Sequence, residues 1–168
     1  PRVTHMWRRL ARANYERETE LLPGLCDPQR TGVDVGAKVG MYTYRIRDAS
    51  SDVVAFEPIP LFNRMLRAVF EGKRGHIEPV AVSATPGKVT MRLPYDAKDE
   101  QQFGRATTEA ANPLKAAEVA RVEELEVEAR TIDSYEWKSL GFIKVDVEGH
   151  ELSVLAGAEQ TIARHRPN

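Results

Sequence analysis

Gly32-Val-Asp-Val-Gly-Ala-Lys-Val-Gly40 is the stretch that decides the fold. A short run of β-formers ends in a turn with two glycines, and residues 40–48 then read as a short helix. Glycine lets a backbone turn tightly and come close to a ligand, and a helix start presents unpaired N–H groups. A strand that enters such a turn and leaves as a helix is the opening of a βαβ unit.

The alternation continues downstream. Residues 53–56 read as a second buried strand and residues 60–71 as a helix. Pro60 sits in its first turn, Leu61, Met65, Leu66, Val69 and Phe70 share one face, and Gly72 stops it. Residues 76–83 read as a third strand, and residues 142–146 as a fourth. Residues 148–165 follow as a helix with Leu152, Leu155, Ala158 and Ile162 turned inward. Strands alternating with helices predict an α/β domain: a parallel, Rossmann-like sheet with helices on both faces. Arg166-Pro-Asn168 follows that helix where such a sheet should add a strand, so the expectation is a sheet lacking its C-terminal strands in this chain.

The middle reads differently. Residues 87–93 and 122–130 look like two further strands. In the second, Leu125, Val127 and Ala129 alternate with Glu126, Glu128 and Arg130, which leaves one face wet. Residues 94–120 between them are polar and irregular, and are read as a disordered insertion or as a lid over a substrate. Upstream, residues 5–22 read as a helix with a solvated, charged face, broken by Pro23-Gly24. The expected organisation is an N-terminal helical segment, 1–24, and a ligand-binding domain, 25–168.

Composition narrows the class. The chain has 168 residues, 42% of them hydrophobic and 29% charged, which is ordinary for one globular domain. With 24 basic against 25 acidic residues the net charge is −1, so nothing in the balance points to nucleic acid or a membrane surface. Cys26 is the only cysteine, and is read as a small buried hydrophobe in a reducing, cytoplasmic setting. No apolar run approaches the ~20 residues that span a bilayer.

Three constellations carry chemistry. The first is the glycine turn, Asp34 to Gly40. The second is Glu57, at the end of the second strand. An acid about 20 residues past such a turn accepts both hydroxyls of an adenosine ribose. A dinucleotide site spaces its glycines G-x-G-x-x-G, whereas Gly36 and Gly40 are spaced G-x-x-x-G, with Asp34 at the strand's mouth. A carboxylate repels a pyrophosphate and attracts an ammonium or sulfonium, which favours S-adenosylmethionine. The third is Lys144-Val-Asp-Val-Glu-Gly-His150. Ligands of open α/β sheets sit past the strands' carboxyl ends, where strand order reverses. With the order 3-2-1-4, residues 34–40 and 146–150 line one crevice. Imidazole is the side chain whose ordinary titration suits a general base near neutral pH, so His150 is the candidate base, the alternative being a surface histidine. Glu148 reads as a site carboxylate or as an acid placed at a helix start. Lys144, on a core strand, needs a carboxylate partner, Asp146 or Asp34. Asp146 and Glu148 are too few to assign a metal.

These motifs resemble the FkbM family of S-adenosylmethionine-dependent methyltransferases. The resemblance rests on Val33-Asp-Val-Gly-Ala-Lys-Val-Gly-Met-Tyr-Thr43, Val54-Ala-Phe-Glu-Pro58, Ala81-Val-Ser83, Thr131-Ile-Asp133, Phe142-Ile-Lys-Val-Asp-Val-Glu-Gly-His-Glu-Leu152, Val154-Leu-Ala-Gly-Ala158 and Arg164-His-Arg-Pro167, in that order. It implies a class I methyltransferase sheet and methylation of a hydroxyl oxygen on a small molecule such as a sugar or polyketide. It further implies that Asp34, Gly36, Ala37 and Gly40 frame the methionine part of the cofactor, that Glu57 holds the ribose, and that Val82 and Ser83 lie near the adenine. Asp146, Glu148 and His150 would face methyl transfer. One departure stands out: Lys38 replaces the family's usual asparagine and adds a positive charge near a sulfonium. Two other readings are a non-catalytic cofactor- or partner-binding domain and an NAD-dependent oxidoreductase. The expected partner is a small hydroxyl compound, with neither nucleic acid nor membrane, and the oligomeric state is open.

Overall fold

A computed structural model describes residues 16–70, 72–98, 106–108 and 119–168. Arg17–Leu21 forms a 3-10 turn that runs into helix α1, Leu22–Leu25. Strand β1 (Thr31–Val35), helix α2 (Met41–Ala49), strand β2 (Asp52–Phe56), helix α3 (Pro60–Phe70) and strand β3 (Gly75–Glu78) follow in alternation. Then come β4 (Ala81–Val82), β5 (Gly87–Tyr95), β6 (Arg121–Arg130), a 3-10 turn at Ile132–Ser134, β7 (Leu140–Val145), α4 (Glu151–Ala156) and α5 (Glu159–His165).

The main sheet has the order β3-β2-β1-β7, all parallel. The expected 3-2-1-4 order is therefore present, with β7 as its fourth strand. Side chains alternate across a strand, so each strand feeds two cores. Val33, Val35 and Phe56 pack on one face with Val154 and Ala158 from the α4–α5 region. Ala55 and Ile77 pack on the other with Met65, Leu66 and Phe70 of α3, and Val53 and Phe142 with Ile46 of α2 and Leu22 and Cys26 of the α1 segment. Helices thus cover both faces. A second sheet, β4-β6-β5, stands beside the first, with β6 parallel to β4 and antiparallel to β5. No described helix is long and apolar enough to cross a membrane.

Four expectations need correction. The third strand is two strands in two different sheets, β3 and β4. Pro79 lies between them and has no N–H to give a central ladder. The 148–165 helix starts only at Glu151 and is interrupted at Gly157. A Cβ on Gly157 would stand 2.1 Å from the Ser83 carbonyl oxygen, so the chain turns where only glycine fits. The later start changes the buried face: Val154 is fully buried, while Leu152 is 83% exposed and Leu155 45%. In the N-terminal segment, residues 5–15 lie outside the described residues, and Arg17–Leu21 is 3-10 rather than α. Pro23 does not break that segment; it sits in the first turn of α1, where its missing N–H costs nothing.

Candidate active site

The turn after β1 is held from two sides. The N–H groups of Gly36 and Ala37 both donate to the Phe56 carbonyl at the end of β2. On the other side, Asp146 N donates to Val35 O, which draws the loop after β7 against the turn. Gly36 adopts φ +81°, and a Cβ there would lie 2.1 Å from the Asp146 carbonyl oxygen. Gly40 also has positive φ, but its added Cβ would meet Leu66 and Phe70 of α3. Ala37 is buried in the same apolar cluster as those side chains. Gly36 therefore borders the crevice, whereas Ala37 and Gly40 serve packing of the turn on α3.

Glu57 ends β2 and is 2% exposed. Its Oε2 accepts from the Lys38 N–H and its Oε1 from the Ile59 N–H, both at 2.8 Å. A carboxylate oxygen can accept more than one hydrogen bond, so both oxygens keep capacity for a ligand hydroxyl. Burial pushes this carboxyl from 4.5 to about 7; nearby Asp34 adds to the rise, while the two N–H groups and the Lys38 ammonium hold it back.

Asp34 is fully buried and lies outside the crevice wall. Its Oδ2 accepts from the Thr43 hydroxyl at 2.6 Å, and its Oδ1 lies 3.2 Å from Lys144 Nζ. Lys144 also stands 3.7 Å from Asp146 Oδ2 and donates to the Gly36 carbonyl. Both carboxylates open to Lys144 at the level of sequence are thus its partners, and one ammonium ties β1, the glycine turn and the loop after β7.

That loop carries Asp146, Glu148 and His150. The Glu151 carboxylate accepts from the N–H groups of Val147 and Gly149, each at 3.1 Å, and so shapes the loop from within. Burial would raise the pKa of Glu151, but the N–H groups of Gly149, Glu151 and Val147 hold it below its ordinary value. Glu148 sits outside the helix with φ +56°, so it is not the helix-start acid that sequence allows. Its Oε1 accepts from Lys38 Nζ at 2.9 Å, and its carbonyl accepts from the Thr107 hydroxyl at 2.7 Å. His150 Nε2 lies 3.0 Å from Ser83 Oγ.

Gly36, Lys38, Glu57, Asp146, Glu148 and His150 supply the polar lining of the resulting crevice. Phe56, Ile59, Val80, Val82 and Met91 supply its apolar lining. Ala106 and Thr108 line it as well, from a segment that Thr107 bridges to Arg92 of β5. Of the residues expected near a cofactor, Val82 lies on this wall, and Ser83 reaches the site through His150. Ile59, Val80, Met91, Ala106 and Thr108 were not anticipated. Ile59 and Val80 had a signal, being apolar residues just past two strand ends. Ala106 and Thr108 lie in the 94–120 stretch that the sequence offers as a lid, but nothing local singles out these two residues.

A parallel 3-2-1-4 sheet with a crevice over its switch point and an acid at the end of β2 defines a Rossmann-like α/β domain. Residues 34–168 match the Methyltransferase FkbM domain family, and the chain belongs to that family of methyltransferases. Among solved structures it is similar to methyltransferase FkbM from Methylobacillus flagellatus KT, with a TM-score of 0.54 at 20% identity, a likeness of fold. That match covers 84% of this chain and 32% of the other, so this chain spans about a third of that protein's length. No curated protein matches.

Proposed function

We propose that this domain binds S-adenosylmethionine and transfers its methyl group to a hydroxyl oxygen of a small molecule. The observation that carries the reading is Glu57, buried on the crevice wall opposite the Asp146–His150 loop, with both oxygens already fixed by backbone N–H groups. The residues present fit the cofactor. Gly36 leaves room where any side chain would strike the Asp146 carbonyl. Glu57 offers acceptors for two ribose hydroxyls, and the apolar lining, with Ile59, Val82 and Met91, suits a flat base. S-adenosylmethionine, when bound, supplies a methyl group already activated by a sulfonium. The protein's part is to align the acceptor and take its proton. His150, held by Ser83, is the group proposed to receive that proton, with Asp146 and Glu148 beside it. Asp34 acts behind the site: it fixes Lys144, which fixes Asp146 and the Gly36 carbonyl.

Calorimetry with S-adenosylmethionine tests the cofactor reading. Glu57→Ala is expected to weaken binding about 30-fold, the worth of charge-assisted bonds to hydroxyls. Glu57→Gln keeps one acceptor for the turn and is expected to lose about tenfold. Wild-type affinity surviving in both variants would remove the reading. The raised carboxyl adds a pH signature. Since the ribose hydroxyls need the ionised form, affinity falls as pH drops through about 7, approaching tenfold per pH unit below it. Stability of the unliganded chain moves the opposite way. The unfolded carboxyl ionises near 4.5 and the folded one near 7, so stability declines as pH rises between those values. Urea melts at pH 5 and pH 8 should show that decline in wild type and not in Glu57→Gln.

For the proton acceptor, His150→Ala is expected to lower turnover roughly 100-fold with little change in donor affinity, the usual worth of a positioned base. Methyl transfer from labelled donor to hydroxyl acceptors measures it, and near-normal turnover would move the role to Asp146.

A further inference from the structure

Lys38 is an uncommon residue in an uncommon place. It has a left-handed backbone, φ +48°, inside the glycine turn, a conformation that asparagine tolerates better than lysine. Its side chain does not leave for solvent. Nζ donates to Glu148 Oε1 at 2.9 Å and stands 3.8 Å from Asp146 Oδ2, all three groups lining the same crevice. Burial alone would lower its pKa, yet the Glu148 hydrogen bond and the charges of Asp146, Glu148 and Glu57 hold it above its ordinary value. A fixed positive charge thus covers the two carboxylates best placed to attract a cationic ligand.

We propose that Lys38 is a specificity-determining residue: by neutralising Glu148, and sharing Asp146 with Lys144, it makes the crevice accept a neutral thioether nucleoside nearly as well as a sulfonium one. The inference rests on the methyl-donor reading above. Its consequence is a weak preference for donor over demethylated product, because the two ligands differ at the sulfur by one methyl group and one positive charge. Without Lys38 the carboxylates would favour the charged ligand by Coulomb attraction, and at the mixed dielectric of a half-exposed cleft one charge changes affinity by about five- to tenfold.

Calorimetry on the 168-residue chain with three ligands tests this. They are S-adenosylmethionine, S-adenosylhomocysteine and sinefungin, which carries a protonated amine in place of the sulfonium. Lys38→Asn and Lys38→Met are expected to tighten the two cationic ligands about fivefold and to change S-adenosylhomocysteine by less than about twofold. Lys38→Arg keeps the charge and is expected to keep the wild-type ratio. The asparagine variant also relieves the left-handed backbone, so a fold that survives in only one neutral variant still gives the reading. Equal shifts for all three ligands would reduce Lys38 to a structural ion pair and overturn the inference, as would an unchanged ratio. If none of the three binds the wild-type chain, the methyl-donor reading falls and this inference with it.

Discussion

Gly36→Ala is expected to abolish measurable binding of S-adenosylmethionine, at least about 100-fold, and to cost about 3–5 kcal/mol of stability. Two effects add. A left-handed backbone penalises any Cβ by about 1–2 kcal/mol. The larger effect is steric, since the methyl carbon would sit 2.1 Å from the Asp146 carbonyl oxygen, a backbone atom that no rotamer change can move. Relief requires the loop after β7 to retreat. Retreat breaks the Asp146 N–H bond to Val35 and stretches Lys144 from the Gly36 carbonyl. The crevice then opens. Gly40→Ala is the control. Its clash is with the side-chain ends of Leu66 and Phe70, at 2.6 and 2.7 Å, so it should cost stability while the folded protein still binds. Urea denaturation and calorimetry on both variants separate the two glycines. Normal binding by Gly36→Ala would show that this turn is not the cofactor's floor.

Lys144→Met should destabilise the fold by about 4 kcal/mol, because removing one partner of a buried ion pair strands the other. Asp34 has no exposed surface, and the Thr43 hydroxyl is too weak a partner for a full charge. The double variant Asp34→Asn, Lys144→Met removes both charges, and the asparagine carbonyl can still accept from Thr43. It should recover at least half of the loss, appearing as a coupling of about 2 kcal/mol in a double-mutant cycle. Additive single effects would mean that the pair does not hold β1 to β7. The double variant also separates structure from binding: it should fold, yet bind the donor less well, because the Asp146 carboxylate and the Gly36 carbonyl lose the ammonium they share.

Much of this site could be read from local signals. Gly36, Glu57 and Asp146 each sit at a strand end, and strand ends announce themselves by a switch from apolar runs to glycine, acid or proline. The parallel sheet follows from the alternation of strands and helices, whereas the strand order does not. What failed was phase and range. Residues 76–83 look like one apolar strand, and Pro79 was the missed sign that the ladder stops. The sequence places the helix start after β7 three residues early, at Glu148, and takes Leu152 and Leu155 as the inward face, whereas Val154 is the buried residue and both leucines are exposed. Asp34 was read as a cofactor residue because it stands at a strand's mouth. Its side chain turns toward Thr43 of α2, and only the register that pairs Asp34 with Lys144 shows why. Ala106 and Thr108 reach the crevice across a long sequence separation, which no local pattern encodes.

The contact between Thr107 and Glu148 has a consequence for how such a domain diversifies. The floor of the crevice belongs to the parallel sheet, where each residue is fixed by neighbours on both sides. One wall, at Ala106 and Thr108, belongs instead to the stretch between two strands of the other sheet, where Thr107 bridges to Arg92 and its hydroxyl donates to the Glu148 carbonyl. Connections between strands accept insertion and exchange far more readily than sheet interiors. Substitution in that connection can therefore reshape what the pocket admits while Gly36 and Glu57 on the sheet beneath stay where they are.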